Sequence, residues 1–436
     1  MDILNCTAVE LVQRLKGKQI TAEALTRFYL DRIEKHRALN AVAEINGEAL
    51  SAARDMDNLP VDERGMLCGL PILIKDNIDV MGMRTTAGSA ALADSIAQND
   101  APVVANLRRN GAIILGKTNL TEFANYTADN MPNGFSSHGG QVVSAYDPDM
   151  DPSGSSTGSA VAVSMGICAA AIGTDTSFSI VGCATDNGVT GYKPPIGALS
   201  TVGIVPIAHS LDSAGPITID VRDAILIYSA MRDEPLPEMV PMNELELNLA
   251  MNMHKIDEVS DEQRGKYEQL LKTLDVKVNA VSHGYMKQMG IIMRNEFRHD
   301  LEAYLADTSP QRKTLAEIIA FYEANPEHMP YGISILKAAQ DEGRMDSEEY
   351  LAALADRERL RAEAIEELED HSAIIMAGVT NYMHLVGMPS IALRLGMADN
   401  GHPRGLILYG TNERRLLMAA LLIEQYCEKV ERPKKF

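Results

Sequence analysis

The chain has 436 residues, of which 46% are apolar and 23% are charged, and this composition is typical of a globular protein with a buried core. A formal net charge of -20 disfavours contact with nucleic-acid backbones and anionic membranes, so we expect neither as a partner. The sequence starts without a signal-peptide pattern and contains no uncharged apolar stretch of about 18 residues, which predicts a soluble cytoplasmic protein.

Cysteine and histidine patterns indicate neither a metal site nor a disulfide framework. The five cysteines are widely spaced and form no CxxC pair; they are Cys6, Cys68, Cys168, Cys183 and Cys427. None of the ten histidines forms an HExxH motif or a similarly spaced pair with carboxylates. We therefore predict reduced thiols and no metal or other cofactor.

Residues 1–60 are predicted to form an N-terminal helical region. Thr7 and Glu10 have the spacing of a capping box, and apolar residues recur after them with helical periodicity, which predicts a helix over 7–17. A second apolar stripe predicts a helix over 21–36. Both helices are expected to pack on the outside of a core formed by later residues.

Residues 69–230 alternate short apolar runs with helical stretches, as α/β proteins with a buried sheet do. Three of the runs predict strands, at 69–74, 111–116 and 167–174. A helix is predicted over 101–109, and another, rich in small side chains, over 158–169. Because small residues allow close packing, we expect the second helix to be central and buried.

The remaining chain divides into a charged part and an apolar part. Residues 235–372 are rich in charged and helix-forming residues, which predicts a helical insertion or cap. Strand-like texture returns over 373–436, so we expect one core that the insertion splits. Together these segments predict a single α/β domain over 1–436, with a central mixed, largely buried sheet covered by helices.

Lys75 is unusual because it ends the apolar run GLPILIK, where a strand should be buried. One interpretation is a lysine that reaches solvent or pairs with Asp76 or Asp79, and the residue type alone favours it. The other interpretation is a desolvated amine whose pKa falls far enough below about 10.4 for the neutral form to act as a base.

A segment rich in glycine and serine, SGSSTGS at 153–159, precedes the small-residue helix. By itself it is typical of a flexible loop or a helix cap. It also contains GxSxG at 154–158, which would make Ser156 the nucleophile of an α/β-hydrolase. That motif needs a preceding strand, and DPDMDP is not strand-like, so we reject this interpretation.

A third polar segment, GTDTSFS at 173–179, follows an apolar run, so Ser179 is predicted to lie in a loop that leaves the core. Such a loop can direct consecutive backbone N–H groups at one point, as an oxyanion requires. Taken alone, a turn rich in serine and threonine is more often structural.

The three segments together, in this order and at this spacing, resemble the amidase signature family. Its members have a lysine after a GxPxxxK run, a GGSSxGS segment and a GTDxGGS loop, which here are GLPILIK, SGSSTGS and GTDTSFS. Further likeness occurs at 84–89, 116–124 and 210–216 and in the late VGMPSIAL and HPRGLILYG segments. The resemblance implies Lys75 as the base, Ser155 as a bridging serine held by a cis peptide, and Ser179 as the nucleophile.

The implied reaction is hydrolysis of a linear carboxamide of amino acid, peptide or aryl type. Neutral Lys75 would take a proton from Ser179 through Ser155 and return it to the leaving amine, before water hydrolyses the acyl-enzyme. The oxyanion hole would consist of the backbone N–H groups of Thr176, Ser177, Phe178 and Ser179. The resemblance also implies that Ser156 hydrogen-bonds Lys75 and that Asp175 braces the loop.

The chain departs from the family pattern around the expected nucleophile. Two glycines are usual where Ser177 and Phe178 stand, and an arginine and a proline are usual where Val181 and Cys183 stand. A positive φ at either of the first two residues would strain the backbone, and a shifted loop would alter the oxyanion hole. The insertion at 296–332 resembles that of bacterial peptide amidases, which indicates amides of amino acid or peptide character.

Two other functions stay open on the sequence. One is the glutamine amidase (A-type) subunit of a tRNA-dependent amidotransferase, which would act with a partner subunit, although the peptide-amidase-like insertion argues against it. The other is a catalytically silent binding protein on the same fold, which the altered 177–183 loop suggests. For the hydrolase the expected partner is a small-molecule amide substrate, and a homodimer is compatible with the sequence.

Overall fold

The computed structural model describes residues 2–234, 236 and 247–434. Within those residues, eleven strands form one large sheet and two more form a small separate sheet. The strands are β1 Val42–Ile45, β2 Pro71–Lys75, β3 Ile113–Thr118, β4 Phe135–Ser136, β5 Gly140–Gln141, β6 Ala170–Asp175, β7 Thr190–Lys193, β8 Ser213–Thr218, β9 Leu249–Asn252, β10 Val278–Val281, β11 Ala373–Met376, β12 Ser390–Met397 and β13 Pro403–Tyr409.

The large sheet is mixed, as predicted, with the order β1-β3-β2-β6-β8-β7-β12-β13-β11-β9-β10. Strands β3, β2 and β6 are parallel neighbours, and so are β11, β9 and β10, whereas the other pairs are antiparallel. Because parallel strands point the same way, the carboxyl ends of β2 and β6 meet at one edge of the sheet. Those ends are Lys75 and Asp175, so two of the predicted site segments converge there.

Helices flank this sheet. Their bounds among the described residues are α1 Ala8–Lys16, α2 Ala22–Lys35, α3 Ala49–Asn58, α4 Pro102–Arg109, α5 Glu122–Asn125, α6 Thr157–Met165, α7 Val181–Asp186, α8 Val221–Met231, α9 Asp261–Leu274, α10 Gln288–Ala306, α11 Leu315–Ala324, α12 Ser334–Glu342, α13 Glu348–Leu368, α14 Tyr382–Leu385 and α15 Glu413–Glu424. None of the described helices combines the length and apolar character needed to cross a membrane.

Helix α6 is buried along its whole length, which confirms the central position predicted from its small side chains. Gly158 shows how closely it packs. A Cβ atom at this residue would lie 2.4 Å from the carbonyl oxygens of Ala41 and Asn119. The helix therefore starts directly against the backbone of two other segments, and only glycine fits at that contact.

The two N-terminal helices form as predicted, and the capping box is present. The Thr7 side chain accepts the N–H of Glu10, and the Glu10 side chain accepts the N–H of Thr7, so α1 begins with both donors satisfied. The Thr21 side chain caps α2 by accepting the N–H of Ala24. The 1–60 region is not wholly helical, however, because β1 pairs with β3 at one edge of the large sheet.

The 235–372 segment differs from the helical insertion that its composition predicts. Strands β9 and β10 fall within it and extend the large sheet beyond β11. Each has only four residues, which is too short for a clear strand pattern in the sequence. Helices α10 to α13, over 288–368, agree with the predicted cap. Residues 235 and 237–246 lie outside the described part of the chain.

The helices of the cap pack on the rest of the protein through a second group of buried apolar side chains. Phe297 of α10 meets Phe123 of α5 edge-on, with 6.1 Å between the ring centroids. Leu385 of α14 belongs to the same group. The cap therefore covers the segments that follow β3 and β11.

We expect Thr7→Ala to destabilise the protein by about 1 kcal/mol, because the N–H of Glu10 loses its acceptor at the start of α1. Urea-induced unfolding followed by circular dichroism measures the effect as a lower midpoint. Thr7→Ser is the matched control, since its hydroxyl can still cap the helix. Equal losses in the two variants would contradict this account of the helix start.

Candidate active site

Lys75 ends β2, and its side chain is fully buried. Its Nζ atom lies 2.8 Å from Ser155 Oγ, 3.0 Å from Ser156 Oγ and 2.8 Å from Thr174 Oγ1. The Thr174 carbonyl oxygen lies further away, at 3.4 Å. The amine is thus surrounded by hydroxyl groups and not by carboxylates.

The acidic neighbours that could have paired with Lys75 have other partners. Asp76 lies 3.4 Å from the ammonium of Lys117, and Asp79 accepts a hydrogen bond from the Tyr304 hydroxyl at 2.8 Å. Burial lowers the pKa of Lys75 to about 7, and the more distant charges around it oppose this only in part. The structure therefore favours the desolvated amine over the paired ammonium.

The hydrogen bonds made by the hydroxyl groups around Lys75 bear on which of them can give up a proton. Ser156 Oγ donates to the Thr174 carbonyl at 3.0 Å, so its hydrogen is already used. Thr174 Oγ1 accepts from Asn77 Nδ2 at 3.0 Å as well as from Lys75. When Lys75 is neutral, one of its three donors becomes a lone pair. The Ser155 hydroxyl is then free to donate to that lone pair.

Ser155 and Ser156 occupy the loop that enters α6. The Gly154–Ser155 peptide bond is cis, in agreement with the sequence resemblance. Gly173 of β6 leaves room for this loop, because a Cβ atom there would lie 2.7 Å from Ser156 Oγ. The close approach of strand and loop brings both hydroxyls to the end of β2.

Ser179 lies in the loop that follows β6 and is 6% exposed. Its carbonyl oxygen accepts the N–H of Ser156 at 3.2 Å, so the two predicted serine segments are in contact. Over the described ranges, no hydrogen bond links the Ser179 hydroxyl to Ser155. Catalytic hydrogen bonds are often long in ligand-free enzymes and tighten when substrate binds.

Phe178 has a φ of 66°, in the left-handed region that glycine normally occupies. This is the strained backbone that the missing glycine predicts. Its N–H, one of the predicted oxyanion donors, donates to His384 Nε2 at 3.3 Å. His384 was not predicted from the sequence, where its surroundings, NYMHLVGMPS, have no metal or catalytic motif.

Asp175 connects the two ends of the same loop. Its Oδ2 atom accepts the N–H of Ile180 at 2.7 Å, and its Oδ1 atom lies 3.2 Å from His384 Nδ1. Burial raises the pKa of Asp175, but the contact with His384, the charge of Lys193 and the N–H of Ile180 together outweigh it and leave the pKa below its ordinary value. These contacts are those expected of a residue that braces the loop.

Thr176 is fixed by a second carboxylate. Its hydroxyl donates to Asp212 Oδ1 at 2.5 Å, and Asp212 Oδ2 accepts the N–H of Ile207 at 2.9 Å. Burial raises the pKa of Asp212 to about 7. Asp212 also lines a cavity of about 410 Å³ that opens beside the loop and includes His209 and Asp300.

One cluster among the described residues has the composition of a metal site. His209, Glu296 and Asp300 have ligand atoms within 4.8 Å of one another. Asp300 accepts the backbone N–H of His209 at 2.7 Å, and Glu296 accepts from Ser210 N–H and from the Tyr350 hydroxyl. Because the carboxylates are already satisfied by protein donors, the cluster is explained without an ion, and the predicted lack of a metal requirement stays a prediction.

Comparisons with known proteins establish the family of the chain. The family described as Amidase matches residues 24–379. The chain therefore belongs to the amidase family, which confirms the resemblance inferred from the sequence, and the protein is an amidase.

Individual relatives show how far the similarity extends. A protein named as a probable amidase from Arabidopsis thaliana is 31% identical over 475 residues, covering 100% of this chain and 92% of that protein. The crystal structure of the native peptide amidase from Stenotrophomonas maltophilia has a TM-score of 0.92 and 29% identity, over 99% of this chain and 98% of the other. The A-type subunit of the glutamyl-tRNA(Gln) amidotransferase from Cupriavidus necator is 40% identical over 224 residues, which are 51% of this chain and 44% of that protein.

We expect treatment with EDTA to leave the amidase activity unchanged, because every carboxylate of the His209 cluster already has a protein donor. The measurement is ammonia or amine release before chelation, after it, and after zinc is added back. Activity that is lost on chelation and restored by zinc would contradict this prediction.

Proposed function

We propose that this amidase hydrolyses linear carboxamides of amino acid or peptide character through a Ser179, Ser155 and Lys75 triad. One observation carries the proposal: the buried Lys75 amine, with a pKa lowered to about 7, has hydroxyl groups rather than carboxylates as its neighbours. A lysine with this pKa is neutral in a large fraction of molecules near neutral pH and can act as a general base.

The proposed proton path uses the Ser155 hydroxyl, which lies 2.8 Å from Lys75 Nζ. In the first step, Ser179 attacks the amide carbon while its proton passes to Ser155 and the Ser155 proton passes to Lys75. The same path then returns a proton to the nitrogen of the leaving amine, which could not depart as an amide anion. Water then hydrolyses the resulting ester: its proton passes through Ser155 to Lys75 and returns by the same path to the Ser179 oxygen, which restores the free enzyme.

The negative charge on the tetrahedral oxygen needs backbone donors from the loop that carries Ser179. We assign this role to the N–H groups of Thr176, Ser177 and Ser179. The Phe178 N–H, which the sequence resemblance also implied as a donor, is engaged by His384 Nε2 at 3.3 Å instead. Support comes from the bracing of the loop at both ends, by Asp175 and by the contact between Thr176 and Asp212. Donors that are fixed in advance stabilise the transition state without a cost of reorganisation, and losing one can reduce kcat by about 100-fold or more.

The substrate class is proposed from the extent of the structural likeness. The peptide amidase from Stenotrophomonas maltophilia matches 99% of this chain, including the cap formed by α10 to α13. We therefore place amides of amino acid or peptide character ahead of aryl amides. A panel of peptide amides, amino acid amides and anilides, assayed for ammonia or amine release, ranks these classes.

A second candidate is the glutamine-hydrolysing subunit of an amidotransferase, favoured by the 40% identity to the Cupriavidus necator protein. That likeness covers 51% of this chain, whereas the Arabidopsis thaliana amidase matches all of it. The full-length match supports a self-sufficient hydrolase. Ammonia release from glutamine that requires an added second subunit would favour the transferase instead.

We expect Ser179→Ala to abolish both amide hydrolysis and covalent labelling by a fluorophosphonate probe, because it removes the proposed nucleophile. Ser177→Ala is the matched control, since it alters a serine of the same loop and should leave the label on Ser179. Peptide mapping by mass spectrometry locates the label. A label on Ser177 or Ser156 would overturn the assignment.

We expect kcat/KM to rise with pH through a midpoint near 7 and to level off above it, because the free enzyme needs neutral Lys75. Lys75→Ala should reduce the rate by about a thousandfold and remove this limb of the profile.

Lys193→Met is the matched control for that profile. Burial lowers the pKa of Lys193 to about 8, yet its amine donates to the Met388 carbonyl and not to the serines. The variant should therefore keep the midpoint near 7 in whatever activity it retains. If the midpoint disappears in Lys193→Met and persists in Lys75→Ala, the titrating group is Lys193 and the assignment of Lys75 as the base is wrong.

A further inference from the structure

The loop that carries Ser179 contains a conformation that its sequence disfavours. Phe178, the residue before the proposed nucleophile, has a φ of 66° although it has a Cβ atom. A left-handed conformation is unfavourable for a residue that has a Cβ atom. Such a backbone persists only where its surroundings hold it, so other contacts must fix the position of Phe178.

His384 supplies those contacts from a distant part of the chain. This residue of α14 is fully buried, and its Nε2 atom accepts the Phe178 N–H at 3.3 Å. The two rings also pack edge to face, with 4.5 Å between their centroids and 64° between their planes. Both the backbone and the side chain of Phe178 are therefore held by one imidazole.

The imidazole has to be neutral and in one tautomer for this contact to exist. A protonated ring has no lone pair, and an Nε2 atom that carries the proton cannot accept the Phe178 N–H. Burial lowers the pKa of His384, with Asp175 raising it and Lys193 lowering it further as the charged groups that face the ring. The remaining proton then lies on Nδ1, which is 3.2 Å from Asp175 Oδ1.

We propose that His384 is a positioning residue of this amidase, which holds Phe178 in the left-handed conformation and so places Ser179 and the oxyanion donors. The proposal rests on Ser179 being the nucleophile. Glycine at position 178 would adopt this conformation without strain. Phe178 is instead held in it by the hydrogen bond and the ring packing from His384. It is not a base for Ser179, because its Nε2 lone pair is used by Phe178.

Asp175 links the imidazole of His384 to the loop that carries Ser179. Its Oδ2 atom holds the N–H of Ile180, one residue after the nucleophile, while its Oδ1 atom faces His384. The residues on both sides of Ser179 are thus fixed by one connected group. Loss of the imidazole should change the geometry of the reacting serine more than the affinity for substrate.

The first test compares two replacements of His384. His384→Leu removes the acceptor and should lower kcat by about tenfold or more with little change in KM, since misplacement of reacting groups acts on the chemical step. His384→Gln can place its Oε1 atom where Nε2 accepts the Phe178 N–H, and should recover most of kcat. His283→Leu is the matched control, because His283 is also buried and stacks on Tyr382 of α14 without contacting the loop.

The second test asks whether the contact is needed because residue 178 is not glycine. In a Phe178→Gly background, we expect His384→Leu to lower kcat by a clearly smaller factor than in the wild-type background. A non-additive result of this kind measures the coupling between the two residues. Equal factors in the two backgrounds would overturn the proposal.

Two further measurements distinguish a failure of the positioning role from a failure of the proposed function. Nitrogen NMR of the wild-type protein, assigned with His384→Gln, should show a proton on Nδ1 and none on Nε2, and the opposite tautomer would refute the hydrogen bond. Fluorophosphonate labelling of Ser179 should be slower in His384→Leu than in the wild type. Equal labelling rates would overturn the positioning role alone, whereas a wild-type enzyme that does not label at Ser179 would refute the proposed function itself.

Discussion

The burial of Lys75 among hydroxyl groups is the constraint on which the rest of the site depends. Removing an ammonium from water is costly unless a carboxylate compensates, and here the available carboxylates are taken by Lys117 and Tyr304. The amine therefore gives up its proton near neutral pH. The proposed base, the serine hydroxyl that would donate to it and the proposed proton path all depend on this single desolvated side chain.

The sheet determines which residues can share that environment. Parallel pairing of β2 with β6 sets the amine beside the loop that leaves β6, and α6 packs against the same edge with its own serines. The hydroxyl partners of Lys75 are separated from it by 80 to 99 positions along the chain. Only a completed sheet brings them within hydrogen-bonding distance.

Sequence patterns predicted the features that depend on a few neighbouring residues, and they did not predict contacts between distant segments. The apolar run before Lys75, the small residues of α6 and the capping box of Thr7 each have a physical signature within a few residues, and each appeared as expected. His384 has no such signature, because its role depends on a loop 206 positions away. The short strands β9 and β10 were not predicted for a related reason. The pairing of β9 with β11 and of β10 with β9 defines them more than their own residue pattern does.

The position of His384 also affects the order in which the site can be completed during synthesis. Its segment follows the cap and precedes β12 and β13, so it leaves the ribosome after the serines and the lysine of the site have already been made. Until then the nascent chain lacks the imidazole that supports the Phe178 loop. A growing polypeptide thus contains Lys75, Ser155 and Ser179 before it contains the imidazole that contacts Phe178. The loop around Ser179 can reach the geometry seen here only after the segment that carries His384 has been made and has folded.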